Sequence, residues 1–554
     1  MAANKISGRS AFLSLLKDEG VTHLFGNPGT TELPIMDALK EHDDMTYVLG
    51  LQESVVVAMA DGFSRASGKL TACNVHVAPG LGNAMGALYS AKFTGTPMII
   101  TAGQQEQGHG LTEPLLYDPL VPIAEPLVKW ATEVTRLEDL PRIVRRAAKV
   151  ATTPPTGPVF ISLPGDILND EAGIELGHRT RVDASSRPTD SALEALAARL
   201  LAAKRPAIIA GDEVVSSNAF AEVGRLAEAL GAPAYQQTVP YGAHFPSEHP
   251  AFMGGLSRDQ KQVRQTLEPY DLLLVLGADV LRMSVWSETD PLPAGLPIVQ
   301  LGLRDWEMGK NYPTELALRC DLRETIDALI PVLEAKGAAA HADLARSRLA
   351  ALADRNWTAQ RKAKRRQAES LSTAEPIAGD WLMAQIVDGL PADAVVVNEG
   401  LTTAGRLLDF LPYRDRYGYH ALASGGIGWA IAASVGIQLA QPERPVVSVI
   451  GDGSAMYSIQ ALWTAAHLDL PITYVIANNK GYRILKQRLL AFHGNDNFVG
   501  MDFLEPEIDF VGLAGSMGLA AERIVSPDAI RPALDAAIRS RKPTLLEVVV
   551  DRTV

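Results

Sequence analysis

Two turns, one holding Asp452 and the other Asn479, carry residue types suited to a metal-bound phosphate. Asp452 follows the apolar run 446–450 in Gly451-Asp452-Gly453-Ser454, and Asn479 follows the β-rich run 472–477. The Asp452 carboxylate, the Asn479 amide carbonyl and the backbone carbonyl of Gly481 offer three oxygens. The rest of an octahedron is left to phosphate and water, which is what Mg²⁺ takes. Glycines on both sides of Asp452 let the backbone approach a diphosphate, and Ser454 opens a helix whose N-terminus favours an anion. Either turn alone recurs in ordinary loops. With 24 residues between Gly453 and Asn478, a helix predicted over 456–468 and a strand on each side, they form one βαβ unit. Both turns then leave the carboxyl ends of parallel strands, where open α/β sheets bind ligands.

The N-terminal third holds residues capable of proton transfer. Glu53 follows the apolar strand 47–51 and begins a helix over 54–66; it reads either as a catalytic carboxylate or as a complement to the helix dipole. His76 ends the strand 71–75 ahead of Ala78-Pro79-Gly80-Leu81-Gly82-Asn83, read as a glycine-rich turn before a helix over 84–92. It suits acid/base work or carboxylate binding, against the alternative of a satisfied core or surface histidine. Thr30, in the strand-to-helix turn 26–31, reads equally as an N-cap and as a substrate contact. His109 lies in a polar loop, 104–118, read as able to close over a site, with the same alternatives as His76.

These residues need elements to position them, and the chain supplies them. Helical spacing over 7–19 and apolar strands at 21–25, 47–51, 71–75 and 97–102 predict a first α/β domain. Alternating strands and helices between 192 and 301 predict a second. It has Gly211-Asp212 and Gly277-Ala278-Asp279 at strand ends but no GxGxxG opening a helix, so a structural spacer is expected there. The stretch 165–191 reads as a polar linker, and 339–370 as a charged helical connector whose basic run 361–366 is a solvated face. A third α/β domain starts near residue 374. Its Asn398-Glu399-Gly400-Leu401-Thr402-Thr403 is expected to open a helix and to offer Thr402 as a hydroxyl.

Over 554 residues the net charge is −13, which argues against a nucleic-acid surface. Cys73 and Cys320 are too few for a disulfide framework or a cysteine metal site. No run of about 18 apolar residues exists to span a membrane, and the N-terminus lacks the apolar segment of a signal peptide, so a cytoplasmic protein is expected.

Gly451-Asp452-Gly453 joined to Asn478-Asn479 resembles the signature of thiamine diphosphate enzymes. The segments 25–34 (FGNPGTTELP), 51–53 (LQE), 75–87 (VHVAPGLGNAMGA), 101–105 (TAGQQ), 127–130 (LVKW), 157–164 (GPVFISLP) and 460–466 (QALWTAA) are similar to the benzoylformate decarboxylases of the acetolactate-synthase and pyruvate-decarboxylase superfamily. The resemblance implies three doubly wound parallel-sheet domains: pyrimidine-binding (1–170), middle (188–336) and diphosphate-binding (374–554), with linkers 165–187 and 337–373. It also implies thiamine diphosphate and Mg²⁺ held between two subunits of an obligate dimer, with a homotetramer expected. Glu53 is then the partner of the aminopyrimidine N1′, His76 the first active-site histidine, and Thr30 stands where the family has a serine. Gly425 and Ile427 match the backbone contact to the aminopyrimidine and the apolar wedge that bends the coenzyme. Thr402, Gly453, Ser454 and Tyr482 complete the implied coenzyme set.

Two departures bear on chemistry. Ser284 stands where the family has a second histidine, so protonation falls to His76, to His109 or to water. Ala421 and Arg488 stand where phenylalanines line the aromatic end of the pocket, beside Leu115, Leu116, Ile484 and Leu485; a fixed cation there suits a carboxylate or phosphate. Arg483, Lys486 and Arg488 also read more simply as the solvated face of a helix. The expected reaction is non-oxidative decarboxylation of a 2-oxo acid to an aldehyde through an enamine/carbanion intermediate. A carboligase or 2-hydroxyacyl-CoA lyase on the same intermediate is one alternative, although the absence of a lid after the last strand, 544–550, counts against a CoA thioester. A catalytically silent subunit of the same fold is the other.

Overall fold

β-branched and leucine-rich runs of five to seven residues, bounded by Gly, Pro and Asn, become buried parallel strands, and the computed structural model describes residues 5–554 of the chain. The first four residues, included in the first expected domain, lie outside the described residues. By their contacts the described residues form two compact units, residues 5–183 with 372–405 and 422–554, and residues 184–371 with 406–421.

The first unit contains two parallel sheets. In the N-terminal sheet the strands run Thr46–Leu49, His23–Gly26, Thr71–Val75, Met98–Gln104, Val159–Pro164, Ala131–Glu133 in spatial order. In the C-terminal sheet the order is Val395–Glu399, Val446–Gly451, Ile472–Asn478, Thr544–Val549, Ala520–Ile524. The helices Glu53–Ser67 and Trp429–Ala440 join the two layers by packing backbone to backbone. A Cβ on Gly62 would lie 2.3 Å from the Ala433 carbonyl oxygen, and one on Gly436 would lie 1.8 Å from that of Met59. At one end of this contact the buried Asp61 accepts from Trp429 Nε1 (2.6 Å) and Thr96 Oγ1 (2.5 Å), and Arg65 stacks 4.3 Å over the Trp429 ring.

The second unit is one sheet of parallel strands in the order Phe252–Gly255, Ala234–Gln236, Pro206–Ala210, Leu272–Leu276, Ile298–Gly302, Leu316–Arg319. Its strand-end carboxylates are occupied internally, since Arg304 bonds both Asp212 and Glu213 at 2.9 Å.

Several local expectations are corrected. The run 78–83 is not a turn but the first turns of the helix Val77–Thr94, where Gly80 is needed for close approach and not for a bend. The helix expected over 456–468 is split into Asp452–Ala455 and Ala461–His467. The stretch 165–191 begins with the helix Gly165–Asn169, which buries Ile167 and Leu168, and a strand, Glu171–Ala172, antiparallel to Ile6–Ser7. The connector expected to be helical over 339–370 is helical, formed by the end of the helix Leu322–Ala350 and by the helix Trp357–Glu369. No helix follows Gly400; Ala404–Asp409 is a 3₁₀ segment. Among the described residues no helix is long and apolar enough to cross a membrane.

Asp61→Ala removes a buried carboxylate from three neighbours at the helix contact. It is expected to destabilise the first unit by about 3 kcal/mol or more, read as a lowered thermal unfolding midpoint, whereas a surface change such as Asp139→Ala should leave the midpoint unmoved.

Candidate active site

The strands Val446–Gly451 and Ile472–Asn478 pair in register, with Gly451 beside Ala477, so both turns emerge at one sheet edge. Asp452 is buried, and its oxygens accept from Gly453 N (2.9 Å) and Gly481 N (3.0 Å). Burial pushes its carboxyl up to about 6 against the pull of those N–H groups; a bound cation acts in the opposite direction. The two asparagines beside it differ sharply. Asn478 is fully used, donating to Glu547 Oε1 (2.7 Å) and accepting from Lys480 N (2.9 Å). Asn479 is buried with its Oδ1 unpartnered. An unmet buried carbonyl costs about 1–3 kcal/mol, which a metal bond would offset. The Gly481 carbonyl accepts from Arg483 N (3.0 Å) and keeps a second lone pair. A carboxylate, an unmet amide oxygen and a backbone carbonyl are the donors Mg²⁺ prefers, so these residues fit a magnesium diphosphate. Gly453 has no room for a side chain, since a Cβ would lie 2.6 Å from the Tyr482 ring, itself edge-on to Phe503 at 4.8 Å.

Glu53 is the first residue of the helix Glu53–Ser67, but the cap is supplied by Gln52, whose Oε1 accepts from Ser54 N and Val55 N (2.6 and 3.2 Å). The buried Glu53 carboxylate is instead held by Asn83 Nδ2 at 3.0 Å. Gly80 leaves room for it, as a Cβ there would stand 2.9 Å from Glu53 Oε1.

His76 Nδ1 lies 2.7 Å from Glu32 Oε2 and 3.2 Å from Thr31 Oγ1. Glu32, fully buried, also accepts from Gly29 N (2.9 Å), Gly103 N (2.8 Å) and Thr31 Oγ1 (2.7 Å). The hydrogen bond to Glu32 raises the His76 pKa and outweighs burial, which lowers it. With Nδ1–H donating to Glu32, proton exchange falls to Nε2. Val77, next in the chain, sits at φ 42, a left-handed conformation that a β-branched residue adopts at a cost of about 1–3 kcal/mol. Gly29 permits this approach, since a Cβ there would fall 2.2 Å from His76 Nδ1.

The remaining expected residues are distributed as follows. Thr30 is exposed; the hydroxyl that meets His76 is that of Thr31. His109 is exposed in the short helix Gln107–Gly110, and Leu115 is 85% exposed, its carbonyl tied to Gln105 Nε2 at 3.0 Å, with Leu116 at φ 71 beside it. Thr402 is half-buried, whereas the adjacent Thr403 is buried with its hydroxyl unpartnered. Gly425 has φ 83 and Ile427 is half-buried. Ile484 is half-buried and Leu485 exposed.

The cations near Gly481 are not a uniform solvated face. Lys480 pairs with Glu507 at 2.7 Å, Arg483 donates to the Asp551 carbonyl at 3.1 Å, and Lys486 is buried against Asp502. Arg488 is exposed over the Phe492 ring at 5.6 Å and, among the described residues, has no carboxylate partner. Ser284 and Ala421 belong to the second unit. Ser284 is exposed between two strands; Ala421 is buried and donates its N–H to the Tyr241 carbonyl at 3.0 Å.

Sequence reasoning missed Glu32, Asn83 and Glu399. Gly29-Thr30-Thr31-Glu32 carries the capping-box spacing, a signal for Glu32 as a cap though not as the partner of His76.

Three family descriptions match the chain: thiamine pyrophosphate enzyme, N-terminal TPP binding domain (residues 6–115), central domain (193–329) and C-terminal TPP binding domain (402–548). Benzoylformate decarboxylase from Pseudomonas aeruginosa is 34% identical over 543 residues, covering 97% of this chain and 98% of that protein. A probable acetolactate synthase large subunit from Methanocaldococcus jannaschii is 28% identical, covering 99% of this chain and 92% of its own. The solved structure of a thiamine diphosphate-dependent 4-hydroxybenzoylformate decarboxylase from Rhodococcus jostii RHA1 is 31% identical, with a TM-score of 0.88 over 99% of this chain and 100% of that one.

The His76–Glu32 pair sets a pH expectation. A histidine whose pKa is raised above 6.5 by folding contributes stability that is complete below that value and lost as pH rises through the folded value. Glu32→Gln removes the charge that raises it and leaves burial, which lowers it, so the His76 resonance in an NMR titration should move to lower pH; an unmoved titration would show that Glu32 does not govern it.

Proposed function

The chain belongs to the thiamine pyrophosphate enzymes, and from that premise we propose that it removes CO₂ non-oxidatively from a 2-oxo acid to give an aldehyde, with Mg²⁺ anchoring the coenzyme. Asp452, Asn479 and the Gly481 carbonyl hold the metal. Ser454 and Thr402 supply hydroxyls on the diphosphate side, Gly453 and Tyr482 shape the turn, and Gly425 and Ile427 receive the pyrimidine end. Bound thiamine diphosphate supplies a carbon nucleophile and an electron sink for the pair released when CO₂ departs. Glu53, oriented by Asn83, exchanges a proton at the pyrimidine nitrogen. His76 delivers a proton from Nε2 to the reacting carbon.

The observation that carries the decarboxylase reading is the His76–Glu32 pair, a buried carboxylate that bonds a half-buried imidazole and raises its pKa. An aldehyde product needs that proton; ligation needs it withheld. Ser284 favours the second reading, a carboligase, because a serine is not an imidazolium acid near neutral pH. Retention of Glu53, Asp452 and Asn479 together counts against a catalytically silent subunit.

We infer that the site is completed by a second copy of the chain. Hydrogen bonds to Glu53 come from the N-terminal sheet's elements, and those to Asp452 from the C-terminal sheet's. Large apolar side chains stand exposed in the segments that follow each sheet's site residues in the chain: Leu111 and Leu115 after the strand Met98–Gln104, Phe492 and Val499 after Gly481. A twofold pair covers both patches on each copy, and a tetramer is the expected higher assembly.

CO₂ release measured over a panel of 2-oxo acids with thiamine diphosphate and Mg²⁺ should be robust for at least one substrate and fall by about two orders of magnitude or more in Glu53→Gln. Mixing inactive Glu53→Gln with inactive Asp452→Ala should restore about a quarter of wild-type activity, since random pairing makes half the dimers mixed and each of those carries one intact site. Silence across the panel would leave the binding-protein reading; no complementation would remove the shared site. Product analysis with an added aldehyde separates decarboxylase from ligase.

Arg488, Leu115, Leu116, Ile484 and Leu485 form the proposed substrate end. Arg488→Phe should raise kcat/KM for aromatic 2-oxo acids by roughly tenfold, in line with burying a ring beside apolar side chains rather than a cation. Unchanged or lower values would take Arg488 out of the pocket.

A further inference from the structure

Glu399 ends the strand Val395–Glu399, and pairing with Val446–Gly451 sets it beside Ile450, one strand over from the Asp452 turn. The residue is 3% exposed. Oε1 accepts from Gly428 N at 2.5 Å and Oε2 from Ala430 N at 2.6 Å, and the Ser454 hydroxyl bonds the same group. Burial pushes its carboxyl up to about 7 against the pull of these donors, so the fold keeps an acidic group here at a desolvation cost that an apolar side chain would not carry.

The simplest role for this group is a helix cap. Gly428, the N-cap of the helix Trp429–Ala440, has no side chain to satisfy the first turn, and Glu399 does so from a neighbouring strand. A serine or aspartate at the cap itself would serve a helix as well. Position 428 excludes one, with φ 101 and a Cβ that would fall 2.5 Å from that of Tyr457, and its carbonyl is held by Ser458 Oγ at 2.5 Å. The loop ending at Gly428 carries Gly425 and Ile427, and Ser454 belongs to the phosphate turn. One buried carboxylate therefore straps the loop proposed to receive the pyrimidine end to the turn proposed to hold the diphosphate.

We propose that Glu399 is a positioning residue that fixes the distance between these two halves of the coenzyme site, and so the bend imposed on the bound coenzyme; this rests on the thiamine diphosphate reading above. Both backbone groups donate, so a carboxylate satisfies them together. A carboxamide of the same shape must point its NH₂ at one of them.

The test compares wild type, Glu399→Gln and Glu399→Asp by titrating Mg²⁺ and thiamine diphosphate against intrinsic tryptophan fluorescence, and by deuterium exchange at the thiazolium C2 at saturating coenzyme. Glu399→Gln should raise the half-saturating concentration about tenfold and slow C2 exchange even when saturated, as expected for one mispaired buried bond. Glu399→Asp keeps the charge but draws it back by one methylene, and should shift both readouts less. A variant whose thermal midpoint falls while half-saturation and exchange stay at wild-type values would reduce Glu399 to a cap and overturn the proposal. If Glu399→Gln does not fold, Glu399→Asp is read alone by the same criterion. Failure of the wild type to take up the coenzyme would instead remove the coenzyme site itself, and this role with it.

Discussion

The first unit depends on two helices meeting without side chains between them. At Gly62 and Gly436 the helices Glu53–Ser67 and Trp429–Ala440 come so close that any Cβ would strike a carbonyl of the other. Such a contact tolerates no slack, because interiors packed this densely transmit displacement and do not absorb it. Each helix also begins at a site element: Glu53 is the first residue of one, and the Gly425–Gly428 loop runs directly into the other. Trp429, pinned by Asp61 and Arg65, fixes the residue next to Gly428. Packing and chemistry are thus set by the same pair of helices.

Around that frame the polar groups are unevenly satisfied, and the unevenness marks the site. Asn478 and Asn479 are adjacent and both buried, yet one has its acceptor and a donor engaged and the other keeps an unmet oxygen. Glu32 collects three donors besides His76, so its buried carboxyl group is fixed in position for the bond to the imidazole. Asp452 and Glu399, both buried, have their pKa values raised even though backbone N–H groups oppose the shift. Groups kept at such cost are the ones whose environment is completed by something other than the protein's own donors, or whose spacing matters more than their desolvation.

What was legible in the sequence was local. A β-rich run followed by Gly-Asp-Gly or Asn-Asn fixes a strand, its end and the side chains at its edge within about ten residues, and register then brings Asp452 and Asn479 together, as the pairing of Gly451 with Ala477 bears out. Helix Glu53–Ser67 was read to within a residue because its Val, Ala and Met content agrees with its burial. What escaped depended on distance or on sterics. Glu32 reaches His76 across 44 positions and Glu399 reaches Gly428 across 29, and no periodicity encodes either. The run 78–83 looked like a turn because its glycines suggest freedom, whereas Gly80 is there to clear Glu53. Lys486 looked solvated because its neighbours are charged, yet Asp502, 16 residues on, draws it into the interior.

The same distinction bears on the balance between decarboxylation and ligation. Both begin alike and diverge at whether a proton reaches the carbon before a second carbonyl does. In the proposed mechanism the proton comes from the His76 imidazole, whose pKa is raised by a carboxylate it meets only through folding. A raised His76 pKa keeps the imidazole charged to higher pH and favours protonation; Ser284, where the family resemblance places a second histidine, cannot act as a second imidazolium. On the proposed mechanism, raising the pH through the folded pKa of His76 removes that donor, so the partition between products should follow the titration of the His76–Glu32 pair.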